Sequence, residues 1–200
     1  MTKSMHALSA SVVADFCTLC DKAHEYWLNH LELFDNNPRN TELMKSFAGE
    51  ELRRLSVISQ EYGLLQLVKL HDRAVMNGNF TLGIDYVLTY GGWPDSVRPR
   101  LEVLAKELGD FAKQLLGARN KILSHNDLAT IAAGATLGEF ANGADEKYFK
   151  ALQEFVNTVH DEVIGGPWPF NDLVKNDVAA FLATIKPDRD ANGQLTNVLK

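Results

Sequence analysis

The stretch "PRLEVLAKELGDFAKQLLGARNKILS", residues 99–124, decides the fold. Leu101, Leu104, Ala105, Leu108, Phe111, Ala112, Leu115 and Leu116 recur at intervals of three and four. That spacing puts them on one face of an amphipathic α-helix, and Pro99 suits the first turn. At 100° per residue from Leu101 the apolar positions fill an arc from about 280° to about 60°, and Arg119 falls near its middle, at about 0°. A guanidinium on a buried face needs a counter-charge, because an unpaired buried charge costs several kcal/mol. Two readings follow. Either Arg119 is paired internally, with Asp72 or Asp127 as the acid, or this end of the face is a cleft or subunit seam where an anion such as a phosphate supplies the charge.

Outward from that helix the same periodicity repeats. Val13, Phe16, Cys17, Cys20, Ala23, Trp27, Leu31 and Phe34 mark a first helix over about 11–34, broken by "DNNPRN" (35–40). A second runs over about 41–77 with Leu52, Leu55, Ile58, Tyr62 and Leu65 on its face, kinked or split at Gly63 and ended by "MNGN" (76–79). The 81–90 segment reads as a short helix with Thr81 as N-cap, since its β-forming residues have no strand to pair with. Residues 91–99 form a loop, and 126–143 is a Gly-punctuated connection. Tyr148, Leu152, Phe155, Val156 and Val159 mark a long helix over about 144–164, stopped by "GGPWP", and a short helix follows at about 171–185. The fold class is all-α, a helical bundle of four to five long helices plus short ones, in one domain over 1–200 with its core at about 8–185 and a polar tail at 186–200.

Composition narrows the function classes. A net charge of −6 argues against general coating of nucleic acid, yet Arg98 to His125 holds six basic residues against three acidic ones, so the one basic stretch leads into Arg119. No secretory signal is legible and no window is apolar enough for a membrane helix, so no membrane association and a cytoplasmic location are expected. Cys17 and Cys20 share a helix face and read as core residues, since no strand precedes them as a redox CxxC requires. His24 and His30 share the first helix, but no Glu-x-x-His pair, zinc spacing, Gly-rich phosphate loop or G-x-S-x-G is present, so neither metal nor cofactor is expected. Trp93, Trp168 and Phe170 read as packing caps in Gly- and Pro-containing loops.

"RNKILSHND" (119–127) resembles the Arg-Asn-x(3–4)-His signature of HEPN-superfamily ribonucleases, which are all-helical. The blocks "LLQLVKLHDRAV" (64–75), "GNFTLGIDYVL" (78–88) and "EKYFKALQEFVNTVHDEV" (146–163) flank it in an order similar to the abortive-infection AbiU-like HEPN subgroup, and most of residues 45–165 is covered. The resemblance implies metal-independent RNA cleavage at a composite site between two protomers, in phage defence or toxin–antitoxin action. Arg119 and His125 would be catalytic: the imidazole, with an ordinary pKa near 6.5, acts on the 2′-hydroxyl or the leaving oxygen, and the five-donor guanidinium holds the scissile phosphate. Asn120 would orient either group, Asp127 would fix the His125 tautomer or pair Arg119, and Asp72 is either a partner for Arg119 or a surface acid beside Arg73. RNA is the expected substrate, a homodimer with a two-fold interface involving the 99–124 helix the expected assembly, and an antitoxin or regulatory protein a further partner. The alternative is a non-catalytic HEPN-like module that binds RNA or a partner protein.

Overall fold

The computed structural model describes residues 8–45, 49–118 and 143–185, with side chains to Leu115 in the middle segment. Four long helices dominate: α1 (Ala10–His30), α3 (Gly49–Lys69), α5 (Arg98–Ala118) and α6 (Ala144–Val163), each of 20 or 21 residues. Shorter helices α2 (Asn40–Met44), α4 (Ile84–Tyr90) and α7 (Val174–Thr184) complete the described helical set, and a π-helical turn, Leu31–Asp35, continues α1. The fold is all-α, as the periodicities predict. Among the described residues no helix is long and apolar enough to cross a membrane. The chain groups into two compact units, Met1–Ala23 with Leu64–Phe170, and His24–Gly63 with Asn171–Lys200.

In the first unit, α5 and α6 pack antiparallel: Arg100 meets Glu154 while Phe111, three turns on, meets Tyr148. The leucine face of α5 is buried at Leu101, Leu104, Leu108 and Leu115, against a face of α6 made of Tyr148, Leu152, Phe155, Val156 and Val159. Phe16 of α1 meets Phe155 edge to face at 6.0 Å, so the sequence's first and last apolar stripes close one core. Cys17 and Cys20 lie in it, fully buried, and burial pushes the Cys17 thiol up to about 12, which makes it an inert core group.

In the second unit, Arg39 ties the segment before α2 to the end of α7. Its guanidinium donates to the carbonyls of Leu182 (3.2 Å) and Ile185 (3.0 Å), the unsatisfied acceptors at the end of α7. Asn37 holds that arm by donating to Leu33 O and accepting from Arg39 N–H.

Three expectations are corrected. The helix expected over 41–77 is α2 plus α3 and stops at Lys69; Gly63 does not split it, and it faces Trp27, where a Cβ would stand in ordinary contact at 3.6 Å. Beyond it, Val75–Met76 (β1) pairs with Asn79–Phe80 (β2) across Asn77-Gly78, whose φ values of +50° and +82° are those of a two-residue hairpin turn. The segment before the turn was the missing strand partner, and two-residue strands are too short to show alternation. Thr81 is not an N-cap: its N–H extends the hairpin to Ala74 O, and α4 begins at Ile84 after Gly83, with no side-chain cap. Finally, Leu55, Ile58 and Tyr62 are not a core face; the buried side of α3 carries Gly63, Leu64, Leu67 and Val68.

Trp93 is a packing cap as expected, buried with its indole N–H donating to Val87 O at 2.9 Å. The close turn depends on Gly91, because a Cβ there would overlap the indole. Gly91→Ala should therefore destabilise by about 1 to 2 kcal/mol through overpacking, read as a lower urea midpoint; an unchanged midpoint would show that the indole yields at no cost.

Candidate functional site

The buried stripe of α5 runs from Leu101 to Leu115, and Ala118, the residue before Arg119, is the last described residue of the helix. Arg119, Asn120, His125 and Asp127 lie outside the described residues. Asp72 is described: it is half-buried in the turn after α3, its N–H donating to Lys69 O, and so stands on a turn and not on a helix surface. Part of the basic charge of α5 is paired locally: Arg98 lies 3.8 Å from Glu102, Arg100 2.7 Å from Glu154 and Lys113 2.7 Å from Asp110, and of these acids only Glu154 lies outside the sequence count of that stretch.

Next to Asp72 is a feature sequence reasoning missed. His71 Nε2 and the Tyr148 hydroxyl are hydrogen-bonded at 2.9 Å, and the Tyr148 ring stacks at 4.7 Å on Phe111 of α5. Burial lowers the His71 imidazole to about 4 and pushes the Tyr148 phenol well up, with the Cys20 thiol adding to the second effect. Both groups are therefore neutral at physiological pH, a polar contact kept inside an aromatic cluster. The pair sits where α6 begins and, since Phe111 is seven residues before Ala118, within about 10 Å along the axis of the end of α5. His71 is legible in "KLHDRAV" only as a histidine between apolar residues, and Tyr148 reads simply as core.

Towards the other end of α5, a polar cleft of about 380 Å³ is lined by Ser96, Arg100, Asn157, Thr158, Asp161 and Glu162, among others. Two of its polar residues, Asn157 and Asp161, hold the loop after α6, together with Gln153 and His160 beside them. Asn157 Oδ1 accepts from Trp168 N–H, Gln153 bonds both Trp168 O and Phe170 N–H, Asp161 accepts from Gly166 N–H, and His160 Nδ1 is bonded to Gly166 O at 2.7 Å. Trp168 lies against His160 with ring centres 5.3 Å apart, a packing role as expected. Of the first-helix histidines, His30 is buried beside Asp35 (3.7 Å) and kept below its ordinary pKa by burial, which outweighs the nearby carboxylate. Among the described residues no group of three His, Cys, Asp or Glu side chains is placed to hold a metal ion.

The family model HEPN_AbiU2, described as AbiU2, matches residues 6–182 and so takes in segments of both compact units. No curated protein and no solved structure matches the chain.

Proposed function

The chain belongs to the AbiU2 family of HEPN proteins, an abortive-infection group, and from that premise we propose that it is a metal-independent endoribonuclease acting as a homodimer. The observation that supports this reading is the Arg119-Asn120-x(4)-His125 spacing, which follows the last described residue of α5 directly in sequence, at a position that a period of 3.6 puts in phase with the buried Leu101–Leu115 stripe. A two-fold contact involving α5 would bring two such ends together, so that each of the two symmetry-related sites draws on both copies. The whole chain then acts as one domain, and an antitoxin-like protein covering the site would keep it silent until infection.

The chemistry follows from the two side chains. The ribose 2′-oxygen attacks the adjacent phosphorus, its proton passes to a base, and the P–O5′ bond breaks as a proton reaches the departing oxygen, leaving a 2′,3′-cyclic phosphate and a 5′-hydroxyl. His125 moves one of these protons, and Arg119 neutralises the charge that builds on the phosphoryl oxygens. Asn120 and Asp127 orient the two, with Asp72 on the turn after α3 as a carboxylate partner for Arg119.

The test is direct. Purified protein is incubated in EDTA with mixed RNA and with DNA of the same sequence. The expected result is RNA cut to cyclic-phosphate ends with DNA intact, since only RNA carries the attacking hydroxyl. Full-length RNA, bound or unbound, would return the chain to the non-catalytic alternative.

A further inference from the structure

The stripe that reads as core in the sequence of α3 faces outward in the structure. Leu55, Ile58 and Tyr62 are 46%, 60% and 46% exposed, although they recur at three and four and fall within about 60° of one another on the helix. This is the seam spacing of a coiled coil, and Tyr62, at its end, also meets a ring of α1, Tyr26, edge to face at 4.9 Å. Large apolar residues grouped on one exposed face mark an interaction surface.

The flanking charges indicate the occupant. Arg54 and Glu61 stand one heptad apart on the same edge of the stripe, while the other edge carries Ser59 and Gln66. A helix running parallel would set the charged edge against the neutral one. A second α3 running antiparallel brings like edges together, so Arg54 faces Glu61 of the other copy and Glu61 faces Arg54. In that register Leu55 seats between Ile58 and Tyr62 of the second copy, and the two-fold axis passes between Val57 and Ile58. Arg54 already contacts Glu51 at 2.8 Å, but as an exposed pair that holds it weakly; Glu61 makes no ion pair among the described residues.

We propose that α3 is a self-association seam on which a second copy of this chain packs antiparallel through Leu55, Ile58 and Tyr62, its register set by reciprocal Arg54–Glu61 pairs. The seam is separate from the α5 end and does not depend on RNA cleavage. Molar mass by light scattering, at tens of micromolar protein, tests it. Ile58→Glu should halve the mass of the assembly while leaving the helical circular dichroism spectrum unchanged, because the side chain it replaces is exposed in the single chain. Arg54→Glu and Glu61→Arg should each weaken association about tenfold, and the double reversal should restore it. An unchanged mass for Ile58→Glu, or a wild-type protein already monomeric, overturns the seam. A double reversal no tighter than the single ones overturns the antiparallel register.

Discussion

His125→Ala should slow RNA cleavage in EDTA by about a thousandfold, within the range that a positioned general acid or base contributes. Arg119→Ala should cost about a hundred- to a thousandfold by removing the donors that meet the developing charge on the phosphate. Arg119→Lys should recover little of this, because an ammonium supplies the charge without the planar fork. Single-turnover rates at saturating enzyme separate these losses from weakened binding, and unaltered melting curves exclude unfolding as their source. A variant of either residue that cuts at the wild-type rate would remove that residue from the site.

The second large effect is on stability and depends on pH. His71 is held neutral by burial, with its pKa lowered from 6.5 to about 4. The folded state thus disfavours the proton that the unfolded state accepts. The stabilisation this represents is complete above about pH 7, declines as pH falls from 6.5 towards 4, and is exhausted below that. A shift of this size amounts to about 2 to 3 kcal/mol for a side chain that is only partly covered. His71→Gln keeps a polar group next to the Tyr148 hydroxyl and removes the titration. Urea unfolding at pH 7, 5.5 and 4 should show the wild-type protein losing stability to acid more steeply than the variant. His30, also lowered by burial, contributes to acid loss in both proteins and cancels in the comparison. Parallel pH profiles would show that the His71 imidazole is not protonated at the expense of folding.

How far the sequence reveals this protein depends on the length of each pattern. Stripes of three or more turns were legible: Val13 to Phe34, Leu101 to Leu115 and Tyr148 to Val159 lie where a period of 3.6 puts them, with nearly every member buried. Periodicity does not say which apolar face is inside. On α3 two faces compete, and the one carrying Leu55, Ile58 and Tyr62 is the outer one, while Leu64, Leu67 and Val68 are buried. The hairpin was hidden for a different reason, since two residues per strand leave the Asn77-Gly78 turn as the only signal. At the candidate site, the spacing of Arg119 and His125 is a signal in the sequence alone, since both lie outside the described residues. The His71–Tyr148 contact is not, because a pairing across 77 residues leaves no local trace.

The central claim is that two copies together supply Arg119 and His125 to one RNA phosphate without metal. Mixing Arg119→Ala with His125→Ala protein, each inactive alone, tests it most directly. A mixed dimer pairs the intact arginine of one copy with the intact histidine of the other and regains one working site of two. After subunit exchange in EDTA, an equal mixture should cut RNA at about a quarter of the wild-type rate. A mixture as inactive as its components would contradict the account.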